Sequence, residues 1–307
     1  MSTIEILDHL FFIERGYLNG NHFVYWSETP ILIDSGYISD FKETERLISG
    51  VGVDLRRVAL IVNTHTHCDH IGGNHLIQQL SGCDIAMHHV GKHFIDTRDD
   101  WATWWRYFHQ EADFFKCTQA LNDGDIITLG PHRFQVFYTP GHASDGIVLY
   151  NSKDKILISS DTLWEKDMAV MVPRVEGSLA LFNMKTSLEK LKSLDIDRVY
   201  PGHGKPFDQV KKAIDRGIER VEKYMAERVF IGEDLLKKIL VYTLLMKKRV
   251  AESDLFDYLM GTTWFKETVD LYFDGRYEKR YDETMAEFLD RGIVTREDGI
   301  FMTTVKP

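Results

Sequence analysis

The sequence predicts an α+β protein, in which short strands alternate with helices over residues 1–207 and helices dominate over 208–307. Three observations carry this. Six of the seven prolines lie at or before Pro206 and the last is Pro307, so the chain changes character near that point. Ahead of it, short apolar runs recur between helical patterns; beyond it, apolar residues recur with the helical period. At 307 residues the chain is about twice the usual domain size, which suits one larger and one smaller unit.

Taken in order, residues 22–27 and 30–33 read as paired strands, and 57–62 is an almost unbroken apolar run of the kind found in a buried strand. Further strands fall at 126–129, 133–138, 146–150 and 155–158, and helical patterns at 40–48, 74–80 and 179–193. Past residue 208, the stretches 210–228 and 234–247 read as amphipathic helices. A helix over 282–290 stops at Gly292, and 293–295 with 300–303 form a hairpin turning at Asp298-Gly299. Helix, helix, helix, hairpin is the order of a winged-helix-like unit. Its would-be recognition helix carries Asp282, Glu283, Glu287 and Asp290 against Arg291, so phosphate contact is disfavoured.

With 44% hydrophobic and 27% charged residues, the chain is neither a disordered tail nor a fibre. Net charge is −10, which gives no overall pull on a nucleic acid. The longest apolar stretch, 239–246, is short and flanked by Lys237, Lys238, Lys247 and Lys248, so no membrane span is expected. Glu5, Asp8 and Glu14 interrupt any signal-peptide pattern. Cys68, Cys83 and Cys117 are too few for a disulfide framework, and a cytoplasmic location is expected.

The most informative residues are Thr64-His65-Thr66-His67-Cys68-Asp69-His70-Ile71-Gly72-Gly73, which follow an apolar strand and precede a helix. Three imidazoles and a carboxylate within six residues cannot all be core groups, because each would need its own hydrogen-bond partner. A divalent metal removes that difficulty; zinc suits the donors best, and iron or manganese are possible. His65 and His67 alternate and can point to one side of a loop, while the adjacent Asp69 and His70 face elsewhere and suit a second ion. Thr139-Pro140-Gly141-His142, Ser159-Ser160-Asp161-Thr162 and Tyr200-Pro201-Gly202-His203-Gly204 each place a ligand-capable residue at a strand-to-loop junction.

On these motifs the sequence resembles the metallo-β-lactamase superfamily of hydrolases over residues 10–206. The resemblance implies a four-layer αββα sandwich with two metals at one edge. It implies that His65, His67 and His142 hold the first metal, that Asp69, His70 and His203 hold the second, and that Asp161 bridges them. The segment Leu32-Ile33-Asp34-Ser35-Gly36 matches an early strand and turn of the family, so Asp34 either orients a ligand from behind or simply shapes the turn. Asp161-Thr162-Leu163-Trp164 is similar to the corresponding part of glyoxalase II thioesterases, although Lys166-Asp167-Met168 lacks their Gly-rich, basic continuation. Trp164 stands where the family's lactonases often place a tyrosine. The core with its helical tail also resembles a branch that includes an endoribonuclease and a quinolone-signalling thioesterase with a regulatory role.

Residues 101–115 read WATWWRYFHQEADFF, with Trp101, Trp104, Trp105 and Phe108 at i, i+3, i+4 and i+7. The pattern predicts one helix, either a core element or a hydrophobic lid over the metals, within an insertion at about 90–122. As a lid, these residues and Trp164 would bind an acyl chain or aromatic acid. His88, His89, His93 and His109 read as ordinary core or surface histidines, and Cys68 is not taken as a ligand.

The expected function is hydrolysis of a thioester or ester of a hydrophobic acid, with two bridged ions supplying hydroxide at neutral pH and Asp69 carrying the proton. Alternatives are a lactonase, a phosphodiesterase or ribonuclease, and a regulator that acts through protein contacts. The expected substrate is a small acyl compound. Apolar tail positions Leu236, Ile239, Leu240 and Tyr242 to Leu245 must pack against the first unit, a second chain or both. A homodimer is expected in which the C-terminal helices contribute to the interface and border the substrate cleft.

Overall fold

The computed structural model describes residues 2–307. Its first sheet starts as an antiparallel meander of β1 (Thr3–Leu7), β2 (Leu10–Ile13), β3 (His22–Tyr25) and β4 (Ile31–Ile33). It then turns parallel through β5 (Leu60–Val62), β6 (Asp84–His88) and β7 (Gln119–Leu121). Parallel neighbours require crossovers, supplied by α1 (Phe41–Gly50), α2 (Cys68–Ile71), α3 (Asn74–Ser81), α4 (His89–Thr97) and α5 (Trp105–Phe108). The second sheet contains β8 (Ile126–Leu129), β9 (His132–Tyr138), β10 (Ile147–Asn151), β11 (Ile156–Ser160) and β12 (Arg198–Pro201), with only the last pair parallel.

Side-chain alternation explains the layering. Phe23 and Tyr25, Leu149, Ile156 and Ile158 point into a core between the two sheets. Their neighbours Val24, Val148, Tyr150 and Leu157 point outwards into a second core covered by helices. The result is the predicted αββα order. The expected strand at 57–62 is shortened, because Asp54 accepts from Arg56 N and starts a 3₁₀ turn over Leu55–Arg57.

Beyond α6 (Pro173–Glu176) and α7 (Ala180–Lys192) come α8 (Val210–Ala226) and α9 (Val229–Lys247). A short strand β13 (Val250–Ala251) precedes α10 (Glu252–Met260), α11 (Thr263–Phe273) and α12 (Tyr277–Asp290). The predicted hairpin is β14 (Val294–Glu297) with β15 (Ile300–Thr303); positive φ at Asp298 and Gly299 closes it, and β13 adds to its edge. Leu235, Leu236, Ile239, Leu240, Leu244 and Leu245 of α9 belong to the same buried cluster as the outer face of the sandwich. The faces that led to the expectation of a dimer are thus covered within the chain itself.

One expectation fails. Residues 101–115 are not one helix: Trp104 and His109 both take left-handed backbone (φ 68° and 52°), which confines α5 to Trp105–Phe108. The aromatic stripe is therefore split among different surroundings. Trp101 packs on Tyr107 under the Arg106 and Arg174 guanidinium groups, Trp105 on Phe114, and Phe108 on Trp104 and Trp264.

Candidate active site

The ligand-capable residues converge where strands end. β5 leads into the His65–His70 loop and α2, β9 into His142, β11 into Asp161, and β12 into His203. Ser160 adopts φ 45°, turning Asp161 inward, and Gly202 lies so close that a Cβ there would collide with the Asp161 carboxylate. His65, His67 and His142 form one group able to share an ion; Asp69, His70, Asp161 and His203 form another, and all seven are buried. Asp161 Oδ2 stands between them, 3.4 Å from His142 Nε2, 3.6 Å from His70 Nε2 and 3.7 Å from His203 Nε2.

Outer partners decide which ring nitrogen faces inward. His70 Nδ1 donates to Asp34 Oδ2 (2.8 Å), His142 Nδ1 to Val170 O (2.8 Å) and His203 Nδ1 to Gly16 O (3.3 Å). His65 Nδ1 faces the Thr64 and Ser160 hydroxyls. All four rings therefore present Nε2 to the centre, and Nε2 of His65 and of His70 has no hydrogen-bond partner although fully buried. His67 is reversed: its Nδ1 lies 3.0 Å from His142 Nε2, and its Nε2 meets Glu176. Buried imidazole nitrogens with free lone pairs, ringed by carboxylates, fit divalent metal ions.

The electrostatics agree. Burial, then the neighbouring imidazoles, hold His65 and His67 well below the ordinary histidine range, as neutral donors. Against burial, carboxylates led by Asp69 raise His70, while Asp161 and Asp69 raise His203. Asp161 is held well below the usual carboxylate range, also against burial, by His203 and His70. Asp34 stands behind His70. It shapes the turn with φ 59° and also grips Thr64 N, Thr64 Oγ1 and His70.

A narrow cleft of about 40 Å³ opens onto the cluster. Trp104, Trp164, Val170, Ile239 and Tyr242 give it apolar walls, with Tyr17, Gln110 and Lys238 as polar additions. Trp104 lies over His67 (3.6 Å between centroids, 26°), and Trp164 donates to Asp161 and packs against His203. Of the predicted substrate residues, then, Trp104 and Trp164 face the cleft. Trp101, Trp105 and Phe108 do not, because the turns at Trp104 and His109 direct them elsewhere. Cys68 points away, towards Thr103 O.

Sequence reasoning missed Glu176, Asp145 and Asn21, while α9 borders the cleft through Lys238, Ile239 and Tyr242, as expected of the C-terminal helices. Asn21 ties the His203 loop down through Pro201 O and Gly204 O. Glu176 meets His67, Trp104 and Ser144. Burial, then Asp145, pushes its carboxyl up to about 8; the indole and Ser144 N–H groups act the other way, as would a dication held by His67.

The family model of the metallo-β-lactamase superfamily matches residues 16–203, which includes every ligand-capable residue above. The chain belongs to this superfamily. It is a metallo-hydrolase. It is similar to human acyl-coenzyme A thioesterase MBLAC2, 28% identical over 227 residues (65% of this chain, 80% of that protein). It is also similar to hydroxyacylglutathione hydrolase of Maricaulis maris, 32% identical over 147 residues, 48% of each chain. Among solved structures, a metallo-β-lactamase family protein from Thermus thermophilus superposes with TM-score 0.63 at 18% identity, covering 97% of this chain and all of that one. The subclass B3 metallo-β-lactamase of Bradyrhizobium japonicum gives TM-score 0.58 at 18% identity, over 74% of this chain and 94% of its own. No helix among the described residues is long and apolar enough to cross a membrane.

Proposed function

We propose that the chain hydrolyses thioesters or esters of hydrophobic acids, using two zinc ions. The observation that carries this is the apolar wall formed by Trp104, Trp164, Val170, Ile239 and Tyr242 directly over the seven-residue cluster. Relatives named as thioesterases support it. When bound, the ions supply an activated water and an electrophile for the carbonyl. His65, His67 and His142 would hold one ion and Asp69, His70 and His203 the other, with Asp161 available to either. Asp69 Oδ2, 3.1 Å from His203 Nε2, stands at the cleft and is placed to take the proton from the attacking water and hand it to the leaving thiolate. Trp104 and Trp164 orient the acyl group and exclude bulk water.

Lys238 is the one lysine or arginine lining the cleft, and it is already tied to Asp167, Asp234 and Met168 O. That disfavours a nucleic-acid chain, whose flanking phosphates need free cations beyond the two ions. The test is a panel on zinc-reconstituted protein: acyl-coenzyme A of increasing chain length, S-acyl glutathione, a lactone and bis-p-nitrophenyl phosphate. The expected result is fastest turnover of long or aromatic thioesters. Faster cleavage of the phosphodiester or lactone would overturn the reading.

A further inference from the structure

We propose that Glu176 is the positioning residue of the first metal site and, through Trp104, of the cleft wall beside it. The inference rests on the histidine cluster being a metal centre and is independent of the substrate. His67 is the one ring of the five turned with Nδ1 to the centre, so its Nε2 points away from solvent and needs an acceptor. Glu176 Oε1 is that acceptor at 3.2 Å, and its side chain is 2% exposed. The same oxygen accepts from Trp104 Nε1 at 2.5 Å, and Oε2 accepts from Ser144 N at 2.6 Å.

Those three donors come from three separate segments: the metal loop, the crossover between β6 and β7, and the loop that carries His142. A single carboxylate therefore fixes the direction of one ligand, the seat of the indole stacked on it, and the approach of a second ligand's loop. Local sequence places it. Pro173 opens a one-turn helix, and Gly177 (φ 96°) ends it immediately after Glu176. An N–H···carboxylate contact behind a metal-bound imidazole fixes the tautomer and raises the basicity of the inward nitrogen. The first site, and not the second, should depend on Glu176.

Zinc affinities of both sites, measured by chelator competition on the full chain, test this. In E176Q one affinity is expected to fall about 10–100-fold while the other is unchanged. W104F, which keeps an aromatic ring over His67, should leave both unchanged. Cadmium-loaded parent protein, labelled with ¹⁵N at histidine, gives a readout that needs no variant. One ring should be metal-bound through Nδ1, with a slowly exchanging Nε2 proton. Unchanged or equal losses at both sites in E176Q, or no such ring in the parent, would overturn the proposal; should E176Q fail to fold, the parent spectrum decides. Failure of the parent to bind zinc or cadmium would overturn the metal reading as well, whereas metal binding without thioester turnover would sink only the proposed substrate.

Discussion

Each imidazole of the centre presents the nitrogen that its outer partner leaves free, so those partners set metal affinity as surely as the ligands do. Asp34→Ala strips His70 Nδ1 and Thr64 N of their acceptor. Second-site affinity should drop about 10–100-fold with the first site retained, as chelator competition would show. His88 offers a test away from the metals. It is buried against Tyr138, accepts from Val90 N, and burial lowers its pKa to about 4. The unfolded chain then binds the extra proton first, so His88 costs no stability above about pH 6.5 and progressively more as pH falls towards 4. In denaturant melts, His88→Phe should lose less stability than the parent across that window; parallel curves would mean that His88 protonates without penalty. All seven cluster members were legible, because donors crowded at strand ends have few other uses. Glu176 was not: it lies 109 positions from His67 and belongs to no spacing pattern.

Among the elements, the aromatic crossover shows why periodicity misleads. Spacing of i, i+3, i+4 and i+7 reports burial, and these residues are buried or half-buried, but the left-handed turn at Trp104 has no signature in an aromatic residue. Two neighbours should consequently behave differently on truncation. Trp104→Ala is expected to raise KM for long acyl thioesters about tenfold or more, the loss of one good apolar contact or so. Trp105→Ala should cost a few kcal/mol of stability with KM little changed, and equal KM effects would return Trp105 to the cleft. Strand ends are similarly exacting. Gly202→Ala would press a methyl group into the Asp161 carboxylate, so zinc stoichiometry, counted by elemental analysis, should fall below that of the parent while the fold survives. Layer order followed from the family resemblance, because β3, β10 and β11 are buried on both faces and carry no apolar–polar alternation to read; β1, β2 and β7 were not anticipated.

At the scale of the whole molecule, the apolar faces of α9 find their partner inside the chain: Tyr242 donates to Leu18 O and meets Tyr37 edge-on. The sequence showed that these faces needed cover but not which surface would provide it. A chain ending at Lys205 should therefore aggregate or lose its cooperative melt; a soluble, cooperative fragment with intact turnover of short acyl thioesters would show that the sandwich closes unaided. The cleft is accordingly built from two distant stretches of sequence. The reactive edge comes from residues shared with the superfamily, and one wall comes from Lys238, Ile239 and Tyr242. Reactivity and selectivity can then drift separately over generations: substitutions along that helix can reshape one wall of the cleft while the histidine and aspartate cluster is inherited unaltered.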